Sequence, residues 1–265
     1  MKVPFYKYQG TGNDFILIDQ RKQQWLSGEE QEAIAHLCHR RLGIGADGLI
    51  LLRNREGYDF EMDYFNADGR RGSMCGNGGR CTVAFAHALG IPVEECQFWA
   101  PDGPHRARLR ADGWVELEMA DVQHIEAGAG YYFLDTGSPH YVQFVTDLAE
   151  IDVVQAGRAI RFNERFKAQG TNVNFVQKTS QGLEAATYER GVEDETLSCG
   201  TGATACALAN SLAGALADGP LLTPIQTKGG QLEVRFRKEG ARYTDIWLCG
   251  PAVQVFQGQL SLPGF

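Results

Sequence analysis

Two cysteines stand in nearly the same short sequence at two places in this chain. Cys75 precedes the Gly-Asn-Gly segment Gly76–Gly78, and Cys199 precedes the Gly-Thr-Gly segment Gly200–Gly202. Each segment leads into small apolar residues, a pattern typical of the start of a buried helix. The free N–H groups and the positive dipole end of a helix N-terminus favour a thiolate beside them. The two sites predict a pair of reactive thiols that face each other across one substrate.

The chain repeats other motifs in the same order as the cysteines. The echoes, each separated by about 125 residues, are Thr11–Asn13 with Thr136–Ser138, Gly45–Asp47 with Gly170–Asn172, Tyr64 with Tyr188, and Arg108–Arg110 with Arg235–Arg237. This period is far longer than that of a solenoid repeat and matches the size of a domain. We therefore expect two pseudo-symmetric domains, 1–121 and 122–252, with 253–265 joining the first.

The composition is that of a globular enzyme and excludes several other classes. The 265 residues are 43% hydrophobic, with a net charge of −8, which argues against general nucleic-acid binding. There is no run of about 18 apolar residues, so we expect no membrane span. The start Met1–Phe5 lacks a signal-peptide pattern. The seven scattered cysteines favour the reducing cytoplasm over a disulfide framework.

The elements that must position the cysteines follow from hydrophobic patterning. Short apolar runs and alternating segments predict strands, and Ser27–Glu30 has the pattern of a capping box that opens a helix. That helix would bury Ile34, Leu37, Cys38 and Leu42, and a second helix is expected over Val153–Phe166. The expected strands include Phe15–Ile18, Leu49–Leu52, Tyr58–Phe65, Arg106–Arg110, Trp114–Met119, Tyr141–Val145, Val173–Val176, Leu183–Tyr188, Gln231–Arg237 and Tyr243–Leu248.

The helices that follow the two cysteines, over Cys81–Leu89 and Ala203–Ala217, lack a polar face. A helix that is apolar all round is buried on all sides. We therefore predict an α/β (α+β) fold of two pseudo-symmetric domains. Each would be a curved, mainly antiparallel sheet or barrel around a central helix, with the two cysteines meeting at the domain interface, a common place for ligand pockets.

The motifs together resemble the diaminopimelate epimerase family, over most of the chain. The segments that carry the resemblance are Gly10–Phe15, Gly43–Gly48, Phe65–Gly69, Met74–Gly78, Thr171–Phe175, Glu189–Gly191 and Glu195–Gly202. A lone Cys-Gly-x-Gly would be weak, whereas this combination is specific. The resemblance implies two α/β domains and the cofactor-independent conversion of L,L-diaminopimelate to its meso isomer, on the route to lysine and peptidoglycan. It implies no metal and one cysteine on each face of the α-carbon.

Inversion at an α-carbon needs a base on one side and an acid on the other, and two thiols supply both. One must be thiolate and the other thiol when a turnover begins. Without pyridoxal, the charge of the carbanion must move onto the α-carboxylate, where N–H groups of the two helix starts can stabilise it. The residues alone leave open which cysteine is the resting thiolate. By resemblance, Cys75 is the proton donor and Cys199 the proton acceptor in the L,L to meso direction.

The resemblance also implies a set of residues that bind the substrate. They are Asn13, Asn66, Gly76, Asn77, Asn172, Glu189, Arg190, Gly200 and Thr201. In this set, Glu189 would hold an ammonium group, while Asn66, Asn172 and Arg190 would read the distal L-centre. Ser138 and His140 would support the site. Ser138 stands where the family often has Asn, Gly48 where it often has Gln, and the segment near Glu193-Asp194 is one residue longer than usual.

Two other functions remain open at this point. A racemase of another amino acid in the same superfamily is one, although proline racemases usually carry His after the first Cys-Gly and lack the Glu-Arg pair, so Asn77, Glu189 and Arg190 favour diaminopimelate. A thiol redox protein that joins Cys75 to Cys199 is the other. The expected partners are a small amino-acid substrate and, as in related enzymes, a second copy of the chain in a homodimer, with no nucleic acid and no membrane.

Overall fold

The computed structural model describes residues 2–261 and divides into two compact units. The first unit comprises residues up to Leu117 together with those from Pro251 onward, and the second comprises Glu118–Gly250. The domain boundaries expected from the sequence, after residues 121 and 252, lie close to these divisions. No helix within residues 2–261 is long and apolar enough to cross a membrane.

Within residues 2–261, seventeen strands and four α-helices make up the two units. The strands are β1 (Lys2–Gly10), β2 (Asn13–Asp19), β3 (Gly48–Arg53), β4 (Phe60–Asn66), β5 (Cys96–Ala100), β6 (Gly103–Leu109), β7 (Val115–Met119), β8 (Glu126–Ala127), β9 (Tyr132–Asp135), β10 (Pro139–Val145), β11 (Asn172–Thr179), β12 (Gly182–Glu189), β13 (Asp194–Thr196), β14 (Gly219–Thr227), β15 (Gly230–Glu239), β16 (Arg242–Gly250) and β17 (Val253–Ser261). The helices are α1 (Gln31–Cys38), α2 (Gly76–Ala88), α3 (Val153–Arg161) and α4 (Gly200–Ala213).

The strands of the first unit pair in the order β17-β1-β2-β3-β4-β5-β6-β7. The pairs β2–β3 and β4–β5 are parallel, and the other pairs are antiparallel. Helix α2 contacts β1, β2, β3, β4, β6 and β17, so the sheet curves around it.

The second unit repeats this plan with the order β8-β9-β10-β11-β12-β14-β15-β16, and β13 forms an additional pair with β12. The parallel pairs are again the two equivalent ones, β10–β11 and β12–β14. Helix α4 contacts β9, β10, β11, β12, β14, β15 and β16. The predicted fold of two pseudo-symmetric units, each with a curved sheet around a central helix, is confirmed.

The central helices are buried because their sequences offer no polar face. Every residue of Ala203–Ala209 in α4 is buried, and α2 buries Phe85, Val83 and Cys81 in the same way. Arg80 is the exception in α2, because its side chain is charged and yet 0% exposed. A buried guanidinium needs hydrogen-bond partners, and those partners lie at the start of the helix.

The capping-box prediction is wrong in its detail. The side chain of Glu30 accepts hydrogen bonds from the backbone and the hydroxyl of Ser27, but the helix begins only at Gln31. It also ends at Cys38, so Leu42 lies beyond it and is 70% exposed. Helix α3 is likewise shorter than expected and ends at Arg161. The hydrogen bonds between Ser27 and Glu30 close a turn before the helix and do not cap it.

Strand register corrects one of the sequence echoes. In the first unit Phe15 pairs with Gly48, and in the second unit His140 pairs with Asn172. Because the β2–β3 and β10–β11 pairs are equivalent, Asn172 takes the place of Gly48. The sequence had aligned Asn172 with Asp47, which is one residue out of register. Successive side chains of a strand point to opposite faces, so this shift decides which residues share a face.

Candidate active site

Cys75 and Cys199 have almost the same backbone conformation at the starts of the two central helices. Cys75 is the N-cap of α2 with φ −116° and ψ 121°, and Cys199 is the N-cap of α4 with φ −120° and ψ 115°. The carbonyl of each accepts the first helical hydrogen bond at 2.8 Å, from Gly79 and Ala203 respectively. Both thiols therefore lie beside N–H groups that have no acceptor within their helix. The sequence predicted this placement.

A tight turn brings Asn13 beside Cys75. Thr11 and Gly12 have φ values of 48° and 87°, and this two-residue turn joins β1 to β2 with Gly10 paired to Asn13. The Sγ of Cys75 lies 3.5 Å from Oδ1 of Asn13. An amide oxygen only accepts hydrogen bonds, so the thiol of Cys75 is the donor in this contact.

The direction of the Asn13 amide follows from its neighbours. Its Nδ2 donates to Asp47 Oδ2 at 2.5 Å, and its Oδ1 accepts from Asn77 Nδ2 at 3.3 Å. The amide of Asn77 is directed in turn by the buried Arg80, which donates to Asn77 Oδ1 at 2.8 Å and to Thr11 Oγ1 at 3.2 Å. An anion and a buried cation thus determine the orientation of both amides.

A group of charged side chains holds Asp47 in place. Arg40 donates to Asp47 Oδ1 at 2.7 Å and to both oxygens of Asp14, and the buried Lys7 lies 2.7 Å from Asp14 Oδ2. Burial alone would raise the pKa of Asp14, but hydrogen bonds from Arg40 and Lys7 outweigh it and lower that pKa to about 2. Asp14 is therefore ionised at neutral pH. Both cations of this group have an anionic partner.

Cys199 has a hydroxyl as its neighbour instead of an amide oxygen. Its Sγ lies 3.5 Å from Thr201 Oγ1, and the same hydroxyl lies 2.9 Å from His140 Nε2. Ser138 Oγ lies 3.1 Å from His140 Nε2 and 3.4 Å from Thr201 Oγ1. These four side chains form one hydrogen-bonded group. His140 lies in β10, Ser138 in the turn before it, and Cys199 and Thr201 at the start of α4.

The surroundings of His140 settle its protonation. Asn174 Nδ2 donates to the carbonyl of Tyr141 at 2.9 Å and lies 3.1 Å from His140 Nδ1, while Asn174 Oδ1 accepts from Thr187. Nδ1 of His140 is therefore the acceptor, and the ring proton is on Nε2. Burial, helped by the positive charge of Arg190, lowers the pKa of His140 to about 3. The ring is neutral and donates its Nε2 proton towards the hydroxyls.

The residues expected to read the distal part of a substrate also meet in the second unit. Asn172 Nδ2 donates to Ser138 Oγ at 2.9 Å, and Asn172 Oδ1 accepts from the backbone N–H of Arg190 at 2.8 Å. The exposed Arg190 side chain donates to the carbonyl of Gln169. Glu189 is the last residue of β12, immediately before Arg190. The structure therefore brings Ser138, His140, Asn172, Arg190 and Thr201 together near Cys199.

Asn66 lies at the end of β4 and is exposed. Its register partner is Gly48, at the position that corresponds to Asn172. A Cβ at Gly48 would lie 2.5 Å from the carbonyl oxygen of Phe65 and 2.5 Å from Cε2 of Tyr64. The first unit therefore has no room for a side chain where the second unit has an amide.

The sequence matches one family along most of its length. The sequence model described as diaminopimelate epimerase matches residues 5–125 and 132–255, which together exceed half of the chain. The chain belongs to the diaminopimelate epimerase family. The match falls into two segments, one for each half of the repeat.

Individual relatives of this family cover nearly the whole chain. The diaminopimelate epimerase of Flavobacterium psychrophilum is 49% identical over 96% of this chain and 99% of its own length. That of Chlorobaculum tepidum is 44% identical, with 96% and 99% covered. Among solved structures, a phenazine biosynthesis protein of the PhzF family from Bacillus anthracis has a TM-score of 0.80, 12% identity and coverage of 98% and 99%. At that identity the likeness shows the fold alone.

Several residues around this epimerase-family site were missed in the sequence. Lys7, Arg40, Asp47 and Arg80 are polar partners in the first unit, and Asn174 is one in the second. Asn174 had a readable signal, since it follows Asn172 by two residues and a strand places such residues on one face. Arg80 was also recognisable in the sequence, because a charged residue within an apolar helix needs polar partners. Within residues 2–261, no three His, Cys, Asp or Glu side chains are arranged to hold a metal ion.

Proposed function

We propose that this chain converts L,L-diaminopimelate to meso-diaminopimelate by acid–base chemistry at two cysteines, without a cofactor. The observation that carries the proposal is the matched pair of N-cap cysteines at the starts of the two buried central helices. Membership of the diaminopimelate epimerase family over both halves of the chain supports the choice of substrate. Inversion at one carbon requires a base and an acid on opposite faces, and the duplicated fold supplies one N-cap thiol from each unit for these two roles.

In the proposed step, the thiolate of Cys199 removes the α-proton of the L,L isomer and becomes a thiol. The S–H bond of Cys75 breaks, and its proton is delivered to the opposite face of the same carbon. The hydrogen bonds near each sulfur support these roles. Thr201 can donate its hydroxyl proton to a thiolate at Cys199, because the hydroxyl oxygen accepts from His140 Nε2. Asn13 Oδ1 can only accept, which suits a thiol at Cys75.

The intermediate needs stabilisation of negative charge on the α-carboxylate. Backbone N–H groups of Gly76, Asn77, Gly200 and Thr201 stand at the starts of α2 and α4 and supply donors of this kind. The loss of one donor of this type typically costs about 3 to 4 kcal/mol of transition-state stabilisation. These donors are part of the backbone, so their positions are held by the central helices and need no reorganisation during the reaction.

We propose that the polar residues that differ between the two units bind the distal amino-acid group of the substrate. Arg190 would hold a carboxylate, and Glu189 an ammonium group, while Asn13, Asn66 and Asn172 would supply amide contacts. Ser138 and His140 would act as supporting residues through Asn172 and Thr201. This asymmetry suits a substrate with one reacting and one non-reacting centre.

We also propose a homodimer that works in the cytoplasm on a small amino-acid substrate, with no nucleic acid and no membrane as partner. The net charge of −8 supports the absence of nucleic acid, and the seven free cysteines suit a reducing compartment. Light scattering of the purified protein would test the dimer, for which twice the 29.2 kDa chain mass is expected.

Incorporation of solvent deuterium tests the reaction directly. The reduced, metal-free protein in D2O should exchange the α-proton of L,L- and meso-diaminopimelate, and Cys75→Ala or Cys199→Ala should lower epimerisation by at least about a thousandfold. Proline and other amino acids belong in the same panel. Exchange of proline but not diaminopimelate would show a different racemase, and full turnover by Cys75→Ala would contradict the two-cysteine mechanism.

A further inference from the structure

We propose that Asp47, held by Arg40, is a positioning residue that keeps Cys75 in its thiol form. It would act by turning the amide of Asn13 so that Oδ1, and not Nδ2, faces the sulfur. The role of Cys75 as proton donor rests on the proposed function. The protonation state of the Cys75 thiol can be measured in the resting protein, without substrate.

The contact with Asp47 sets the direction of the Asn13 amide. A carboxylate can only accept, so the 2.5 Å contact with Asp47 Oδ2 must be made by Asn13 Nδ2. The Oδ1 atom is then left to face Cys75 Sγ at 3.5 Å. With Nδ2 turned towards the sulfur instead, the amide would donate to it and would favour a thiolate.

A contact on the other side of the Asn13 amide gives the same direction. Arg80 carries only donors, so its 2.8 Å contact is with the Oδ1 atom of Asn77. The Nδ2 atom of Asn77 therefore points to Asn13, whose facing atom at 3.3 Å must be the acceptor Oδ1. The Asn13 amide is thus constrained from both ends, by an anion beyond Nδ2 and by a directed amide beside Oδ1.

Five charged side chains surround Asn13. The ionised groups around Asn13 are Lys7 on β1, Asp14 on β2, Arg40 after α1, Asp47 before β3 and Arg80 on α2. The two anions are matched by Lys7 and Arg40, with N–O distances of 2.7 Å in each case. Arg80 adds a positive charge, which by itself would favour a thiolate. In the proposal, the hydrogen bond that Asn13 Oδ1 accepts from Cys75 outweighs this charge and favours the thiol.

The test measures the pH dependence of alkylation at each cysteine. Iodoacetamide is added to the purified full-length protein between pH 6 and 9, and labelling of Cys75 and Cys199 is followed separately by mass spectrometry of the peptides. Asp47→Asn removes the anion that holds Nδ2 of Asn13, which weakens the preference for this direction of the amide. Labelling of Cys75 at pH 7 should then rise about five- to tenfold and its profile should shift to lower pH, with Cys199 unchanged. An unchanged Cys75 profile would overturn the proposal.

A double-mutant cycle separates positioning from direct charge. In an Asn13→Ala background, Asp47→Asn should leave the labelling of Cys75 within about twofold, because no amide remains to be turned. A full shift in that background would show that Asp47 acts by its charge alone, which would overturn the proposal. Arg40→Met provides a second route that keeps Asp47 itself, and it should shift the Cys75 profile in the same direction by a smaller factor.

Asp19→Asn is the matched control, since Asp19 lies at the other end of β2 and forms its own bidentate pair with Arg21. It should leave the Cys75 profile unchanged, and a shift as large as that of Asp47→Asn would contradict a specific role for Asp47. Failure of this proposal is distinguishable from failure of the proposed function. Alkylation needs no substrate, whereas the function is judged by deuterium exchange in the unmodified protein.

Discussion

Asn13 and Ser138 occupy equivalent positions in the two units but make different hydrogen bonds. Each stands two residues before the strand position that pairs in parallel with the next strand. Asn13 offers an acceptor directly to Cys75, whereas Ser138 offers its hydroxyl to the group formed by His140 and Thr201 beside Cys199. A nearly symmetric backbone therefore carries two thiols with different hydrogen-bond partners, an amide oxygen beside Cys75 and a hydroxyl beside Cys199.

Thr201→Val should reduce the reactivity of Cys199. The substitution preserves the shape of the side chain but removes the hydroxyl that lies 3.5 Å from Sγ. Loss of one hydrogen bond to a thiolate is expected to lower Cys199 alkylation at pH 7 about five- to tenfold, with a similar loss of kcat/KM. Thr201→Ser should retain most of both.

Thr204→Val is the control for that experiment. Thr204 is buried on the same helix, and its hydroxyl donates to the Gly200 carbonyl at 3.1 Å. Its replacement should leave the Cys199 pH profile in place. If Thr201→Val and Thr204→Val behaved alike, the Thr201 hydroxyl would have no specific effect on the thiolate.

His140 should make the protein less stable in mild acid. Its pKa is lowered by burial from 6.5 to about 3, so below pH 6.5 the unfolded chain takes up a proton that the folded chain does not. The stability contribution is complete above pH 6.5 and is lost as the pH falls towards 3. At pH 5 the loss amounts to about 2 kcal/mol in the free energy of unfolding.

Urea unfolding at pH 5 and pH 7 would measure this dependence. His140→Gln should lower the stability at pH 7 and flatten its dependence on pH between 5 and 7. His87→Gln, at an exposed position on α2, should change neither value much. A slope that is the same in His140→Gln and in the unchanged protein would rule out His140 as the source.

Gly48→Ala should destabilise the first unit by about 1 to 3 kcal/mol, because its Cβ would meet the Phe65 carbonyl and the Tyr64 ring at 2.5 Å. Gly48→Gln, which introduces a longer side chain at the same crowded position, should be worse. Gly78→Ala is the contrast, because its Cβ would meet the flexible end of Met62 at 3.1 Å and only ordinary contacts with Ile50 and Phe15 at 3.4 and 3.5 Å, within a helix. Thermal unfolding should show a lower Tm for Gly48→Ala but not for Gly78→Ala.

Lys7→Met should cost about 2 to 4 kcal/mol in the free energy of unfolding, because it removes one partner of a buried ion pair and leaves Asp14 with Arg40 alone. Lys167→Met breaks an exposed pair with Glu164 and should cost less than about 0.5 kcal/mol. Equal costs in urea unfolding would mean that burial of the Lys7–Asp14 pair contributes nothing.

The sequence by itself determined the duplicated plan, the positions of the two cysteines at helix starts and the family. The repeat is visible in the order of the residues. Cys75 and Cys199 are recognisable from the glycines that follow them in the chain. The buried central helices were also readable, since an apolar run with no polar face has only one stable environment. These features depend on neighbours in the chain, so the sequence contains them directly.

Only the tertiary structure decided which polar groups meet and in what direction their hydrogen bonds run. Asp47 and Asn13 are far apart in the sequence, as are His140 and Thr201, and their contacts depend on how strands pair around each helix. The register of β10 and β11 also placed Asn172 opposite His140, one residue from where the repeat had aligned it. A hydrogen bond is sensitive to changes of a fraction of an ångström in the distance between donor and acceptor. Strand pairing sets that distance.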